Sequence, residues 1–363
     1  MKKNKNYVDL KDQPVPEGQH LLEVDDLKMY FHTEDGVVRA VDGVSYTLDR
    51  GETLGVVGES GSGKSVTAMT IMGLISMPPG KIEGGDVRYR GRSILEMTEE
   101  EMQHIRGNDI AMIFQDPMTS LNPVYKIGKQ VGEGLRLHRG YSKQEALKRA
   151  TELLDLVGIP EPEKRVNEYP HQFSGGMRQR VMIAMALACD PDILIADEPT
   201  TALDVTIQAQ IIELMQEMQQ KNGNAIIMIT HDLGVVADMA DKIMVMYAGR
   251  PVEFGTAEEI FYESRHPYTW GLIRSIPEQA IDEKKPLTPI HGNPPSLMNL
   301  TEGCVFSPRC PYATDKCRKQ RPERIVTESG HYSACHYSGD PEFLKNAPET
   351  SRTRKDSKKG GEA

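Results

Sequence analysis

The chain contains no apolar run approaching the ~20 residues that a membrane-crossing helix needs. Any membrane role must therefore come through a partner. Positive charge is also in short supply. Lys and Arg number 43 against 53 Asp and Glu, and the net charge of −10 argues against a surface that coats nucleic acid. The opening Met1-Lys2-Lys3-Asn4-Lys5-Asn6-Tyr7 has a basic patch with no apolar segment behind it, unlike a signal peptide, so the expected compartment is the cytosol. Cysteine is scarce, with five in 363 residues; in a reducing compartment they point to metal binding or inert burial rather than disulfides. Hydrophobic residues make up 38% of the chain, enough for a core, and the length suggests two domains or one large domain with an appendage.

The stretch that organises the chain is Gly58-Glu59-Ser60-Gly61-Ser62-Gly63-Lys64-Ser65. An apolar run, Leu54-Gly55-Val56-Val57, precedes it, and residues 66–72 read as a helix. Strand, glycine-rich loop and helix, with G-x-x-x-x-G-K-S spacing, make a phosphate-binding P-loop. The glycines let the backbone wrap an anion so that successive N–H groups point inward, and the helix adds the positive end of its dipole. In this reading Lys64 reaches the β- and γ-phosphates and the Ser65 hydroxyl ligates Mg²⁺. A flexible turn before an ordinary helix is the plain alternative, and the complete motif in its context weighs against it.

Residues 1–20 are polar, with Pro14 and Pro16, and read as a flexible arm. From Leu21 to Leu48 the text is strand-like, with a turn expected at Asp42-Gly43. Tyr30 and Phe31 are both candidates to stack on an adenine, and core packing explains either equally well. Residues 110–114 form an apolar strand that ends on Gln115, ahead of a loop of turn formers over 116–123. A polar residue at the end of a buried strand is where open α/β sheets keep ligand contacts, so Gln115 is a candidate for the Mg²⁺ shell and the attacking water. Residues 128–159 read as helices. Ser174-Gly175-Gly176 then opens a long helix; Ser174 fits an N-cap, and the same geometry can serve an anion. Residues 193–196 are a buried strand delivering Asp197, placed to hold Mg²⁺, and Glu198, placed to polarise water for in-line attack on the γ-phosphate. A further strand over 225–230 ends on His231. A lone histidine there is more often structural, but its place after a third apolar strand favours a role in the site.

Taken together, these stretches resemble the nucleotide-binding subunit of an ATP-binding cassette (ABC) transporter, in order and spacing throughout residues 21–260. Gln115 is similar to the glutamine loop, and Phe173-Ser174-Gly175-Gly176-Met177 to the signature usually written L-S-G-G-Q. Residues 193–198 resemble the Walker B strand, Ala202-Leu203-Asp204 the D-loop, and His231 the switch histidine. Phe173 and Met177 depart from the usual Leu and Gln; the second removes a polar side chain near the γ-phosphate of the partner's site. The resemblance implies an α/β P-loop ATPase with an antiparallel β subdomain and a helical subdomain over about 116–188. It also implies head-to-tail pairing, with ATP and Mg²⁺ held between one P-loop and the Ser174, Gly175 and Gly176 of the other cassette. Arg265-His266-Pro267-Tyr268-Thr269-Trp270-Gly271-Leu272 and residues 115–123 are similar to oligopeptide, dipeptide and nickel importers. Within that group the chain most resembles the D-type ATPase. This implies a distinct F-type ATPase partner, two transmembrane permease subunits, and indirectly an extracellular or periplasmic peptide-binding protein, with the chain at the cytoplasmic face of the membrane and no nucleic-acid partner.

The expected C-terminal extension, residues 261–340, is loop-rich and carries Cys304, Cys310, Cys317 and Cys335, spaced C-x5-C-x6-C-x17-C in proline-rich text. A segment too small to bury a core is the kind that a metal staples, and cysteine-only ligation suits a [4Fe–4S] cluster or tetrahedral Zn²⁺. The resemblance favours the cluster. His331 and His336 flank the last cysteine and could replace it on zinc; four reduced thiols without metal are the plain alternative. Cys189 reads as a small buried hydrophobe. Residues 341–363 are expected to form a disordered tail.

Two other classes compete. DNA-repair cassettes carry long coiled coils between P-loop and signature, and translation-type cassettes come as two in one chain; here 58 residues separate Gln115 from Ser174, and one cassette is present. A non-hydrolysing regulatory subunit would not be expected to keep Glu198 and His231.

Overall fold

The structure, a computed structural model, describes residues 10–11, 13–116, 120–200, 205–276 and 289–348. Twelve strands in that part form two sheets: β1 (Leu22–Thr33), β2 (Gly36–Leu48), β3 (Thr53–Val57), β4 (Gly80–Tyr89), β5 (Arg92–Ser93), β6 (Ile110–Ile113), β7 (Ile193–Asp197), β8 (Ala225–Thr230), β9 (Lys242–Tyr247), β10 (Arg250–Thr256), β11 (Ile325–Val326) and β12 (Tyr332–Ser333). The larger sheet runs β11-β12-β10-β9-β3-β8-β7-β6. From β9 to β6 neighbouring strands are parallel, whereas β10, β11 and β12 add on antiparallel. Every residue of β3, β6, β7 and β8 is buried, as expected of parallel strands covered on both faces, and this is why they read as unbroken apolar runs.

A smaller antiparallel sheet, β2-β1-β4-β5, packs against the larger one. Leu27, Met29, Val44 and Leu48 face Leu54, Val56, Ile195 and Met244 across that core. On the other face lies a helical layer that includes Ile127–Val131, Glu133–His138, Lys143–Leu156 and Gly175–Leu187. The helix Lys143–Leu156 starts at a reciprocal cap between Ser142 and Glu145 and buries Ala146, Ala150, Leu153 and Leu154 on one face, at helical spacing. Losing either leucine side chain would cost roughly 2–5 kcal/mol.

Three expectations need correction. Asp42-Gly43 is not a turn: β2 runs through it as one strand, and the pairing skips from Leu27↔Val44 to Lys28↔Asp42. Gly43, at φ +91°, is a bulge, which uses the same left-handed freedom as a turn. The arm is anchored rather than loose at its described end. Leu10 is 5% exposed within the core, and the Lys11 ammonium donates to the carbonyls of Asn108, Cys189 and Asp190. The tail does not begin at 341. Pro341–Leu344 is helical, and the Phe343 ring packs against Trp270, Tyr312 and Tyr337; residues 349–363 lie outside the described residues.

The extension is also more structured than its loop-rich text. It contributes the helix Pro267–Arg274, the helix Asp315–Lys319, and β11 and β12, which lengthen the main sheet through Phe254↔Tyr332 and Glu253↔Ser333. Tyr247, Tyr268, Val305 and Phe306 share a third core with β9 and β10.

Candidate active site

Because β3, β8, β7 and β6 are parallel neighbours, their C-terminal ends lie in a row. The row carries the P-loop after β3, His231 after β8, Asp197 and Glu198 at the end of β7, and Gln115 just past β6. The side chains meet there. The Ser65 hydroxyl donates to Asp197 Oδ1 at 3.0 Å, Gln115 Nε2 donates to Glu198 Oε2 at 3.0 Å, and His231 Nδ1 lies 3.3 Å from Glu198 Oε1. Glu198 thus joins residues from three strand ends. Its backbone sits at φ +46°, a left-handed conformation that a non-glycine residue adopts at a cost, and its N–H donates to the Ile229 carbonyl at 2.8 Å.

The P-loop wraps tightly. A side chain on Gly58 would lie 2.2 Å from the Met246 carbonyl oxygen, so only glycine fits there. The Lys64 ammonium, on a residue 5% exposed, donates to the Gly58 carbonyl at 2.7 Å and the Glu59 carbonyl at 3.0 Å. Burial lowers its pKa, opposed by the charges of Glu198, Asp197 and Glu59. Burial likewise raises that of the Asp197 carboxyl, opposed by the Ser65 hydrogen bond. A cation and a carboxylate are therefore kept together in a place that penalises both charges, where an incoming metal and polyphosphate would relieve each. The Ser62 hydroxyl is buried with no hydrogen-bond partner within the chain, and such an atom suits a ligand oxygen.

Ser174, Gly175 and Gly176 are apart from this row. Ser174 caps the helix Gly175–Leu187, its Oγ accepting from the Met177 N–H at 3.3 Å. Ser174 and Gly175 are exposed, so this helix end faces outward. Phe173, one of the two departures from the usual signature, is 3% exposed in the core of the helical layer, and Met177 packs against that core. The Tyr30 hydroxyl donates to Asp42 at 2.9 Å, whereas Phe31 packs against the core between the sheets. Ala202, Leu203 and Asp204 lie outside the described residues.

The four extension cysteines come together. Cys304, Cys310, Cys317 and Cys335 line one small cavity with His266, Phe306, Tyr312, His336 and Tyr337 among its other walls. Burial raises the thiol pKa of Cys310 to about 11 and of Cys335 to about 12, and that of Cys304 is also raised. Among the described residues, no three His, Cys, Asp or Glu side chains form a group that could hold one metal ion. His331 is not available as a cysteine substitute: its Nε2 lies 3.0 Å from the buried Glu253 carboxylate. His336 lines the cavity with its Nε2 2.9 Å from the Gln320 carbonyl. Cys189 is 2% exposed in the helical core.

Comparison with known proteins agrees with this architecture. Residues 41–201 match the ABC transporter family, and residues 252–317 match the oligopeptide/dipeptide transporter C-terminal region. The oligopeptide transport ATP-binding protein OppD of Bacillus subtilis (strain 168) is 58% identical over 312 residues, 86% of this chain and 87% of that protein. This chain belongs to the ABC transporter family. The dipeptide transport ATP-binding protein DppD of Escherichia coli (strain K12) is 52% identical over 88% of this chain and 97% of its own length. Among solved structures, a dimeric ATP-binding cassette in a post-hydrolysis state, bound to ADP and phosphate, matches with a TM-score of 0.60 and 28% identity. That match covers 65% of this chain and 98% of the other. The fold is therefore that of an ABC ATPase, and the chain is an ATPase coupled to transport.

Two residues of this ABC ATPase touch the P-loop in a role that no sequence motif assigned to them, although Tyr268 lies in the importer-like stretch 265–272. The Arg309 guanidinium grips the Glu59 carboxylate with two contacts, at 2.5 and 3.0 Å, and the Tyr268 hydroxyl accepts the Glu59 N–H at 2.8 Å. A signal was present in Glu59 itself, because a carboxylate in an anion-binding loop calls for a cation nearby. Nothing local says that the cation lies 250 positions further on.

Proposed function

We propose that the chain binds and hydrolyses ATP with Mg²⁺ and so energises peptide import across the cytoplasmic membrane through separate permease subunits. The observation that carries this reading is the row of strand ends in which Glu198 meets Gln115 and His231 beside the Lys64–Ser65–Asp197 group. Residues 58–65 hold the phosphates. Ser65, Asp197 and Gln115 would hold Mg²⁺, which supplies charge neutralisation on the phosphate oxygens. Glu198 takes the proton of the attacking water, with Gln115 and His231 keeping that water and the carboxylate in place. Relatives named for oligopeptide and for dipeptide transport both match, so the substrate class proposed is peptide, without a length.

Residues 21–260 form the ATPase domain in this reading and residues 261–340 its extension. The outward-facing start of the helix at Ser174, Gly175 and Gly176 completes the ATP site of a second, F-type ATPase subunit, and two permeases hold the pair at the cytoplasmic face. Among the described residues no helix is long and apolar enough to cross a membrane. The four cysteines form a metal site. Four thiols around one cavity offer the cysteine-only donor set that a [4Fe–4S] cluster or tetrahedral Zn²⁺ takes, and the family resemblance favours the cluster. Burial raises the thiol pKa values of Cys304, Cys310 and Cys335, so loading those three would release protons and tighten as pH rises.

The test is ATP-dependent peptide uptake by the complete transporter in vesicles. Uptake driven by the wild-type chain and abolished by Glu198→Gln is the expected result. Nickel uptake without peptide uptake would overturn the substrate class.

A further inference from the structure

An acidic side chain inside a loop that binds polyphosphate opposes its own ligand unless its charge is met. Glu59 is met by Arg309 from the extension, in a two-contact pair whose arginine side chain is 5% exposed. Glu59 is also tied down through its backbone. Its N–H is taken by Tyr268 and its carbonyl accepts from Lys64. One residue therefore joins the phosphate-binding lysine to the C-terminal extension through its side chain, its N–H and its carbonyl.

Arg309 and Tyr268 are themselves firmly seated. Arg309 Nε donates to the His291 carbonyl at 2.9 Å, and its backbone N–H closes a turn on the Phe306 carbonyl at 3.0 Å. The Phe306 ring packs 5.3 Å from that of Tyr268, and both lie in the buried core beneath the extension.

We infer that Arg309 and Tyr268 are positioning residues for nucleotide binding: they neutralise Glu59 and fix the first turn of the P-loop, so that Lys64 faces the phosphates. This rests on the ATPase reading above and adds the extension as a working part of the ATP site. Removing Arg309 alone leaves a bare carboxylate beside the triphosphate. Removing both charges takes away the repulsion along with its remedy.

The experiment is equilibrium binding of a fluorescent ATP analogue with Mg²⁺ to the full-length chain. Arg309→Gln is expected to weaken binding about tenfold, and the double variant Glu59→Gln/Arg309→Gln to return to within about threefold of wild type. A purely structural role for Arg309 would not be rescued by a second change in the P-loop. Unchanged affinity in Arg309→Gln, or a double variant as weak as the single one, overturns the inference. Should Arg309→Gln lose its native circular dichroism, Tyr268→Phe carries the test, because it removes only the acceptor of the Glu59 N–H. About threefold weaker binding at an unchanged melting temperature supports the inference, and unchanged binding overturns it. A wild-type chain that binds no nucleotide would instead count against the proposed function.

Discussion

Two neighbouring regions of the molecule, bridged by Arg309, are built by opposite means. The proposed ATP site is polar and stands on the C-terminal ends of buried parallel strands, where Ser65 meets Asp197 and Gln115 meets Glu198 within hydrogen-bond distance. The cysteine cavity is mostly apolar and loop-built, held by short elements, aromatic packing and two-residue strands added to a sheet edge. A rigid scaffold can hold charged groups together against desolvation. A loop-built one depends on what fills it. The first region should therefore fail chemically while staying folded, and the second should fail by unfolding.

The largest expected effect on nucleotide binding is at Lys64. Lys64→Ala should weaken nucleotide binding on the order of 100-fold with little change in melting temperature, since the lysine serves the ligand more than the fold. Binding and melting curves on the same preparation would read both. The cysteines should show the reverse. Cys335→Ser or Cys317→Ser should lower the melting temperature, reduce bound iron measured after anaerobic purification, and cost roughly 2–5 kcal/mol of stability if the site is a staple. Full metal content in both variants would remove these thiols from the site.

A third effect separates the regions by pH. Burial holds the His266 imidazole down at about 4, while an unfolded chain takes up that proton near its ordinary value of 6.5. Between the two values the unfolded state binds more protons, so stability falls as pH drops from about 6.5 to about 4, by on the order of 3 kcal/mol. His266→Asn keeps a side chain able to cap the helix Pro267–Arg274 and should flatten that part of the profile in urea unfolding. The smallest effect is at the signature. Ser174→Ala should cost the isolated chain about 1 kcal/mol or less, the value of an exposed cap, yet reduce hydrolysis in the assembled pair far more. Equal losses in both assays would make Ser174 a cap and nothing else.

The proposed ATP site was legible as a set of candidates because its parts are local words: a glycine loop, and apolar runs that each end on a polar residue. Only their assembly in one row needed the sheet order. Asp42-Gly43 misled because glycine's left-handed freedom serves a turn and a bulge alike. Phe173 reads as a departure from a motif but is a core residue of the helical layer. The extension was the least legible, since its structure is non-local. Ser333 pairs with Glu253, Phe343 packs on Trp270, and Arg309 reaches Glu59; no period or spacing links residues so far apart.

The central claim, that the row of strand ends is an ATP-hydrolysing site with Glu198 as its base, is tested most directly by Glu198→Gln in the assembled transporter, with binding and turnover measured together. The account predicts ATP binding within about threefold of wild type and turnover reduced on the order of 1,000-fold. Turnover near the wild-type rate would contradict it.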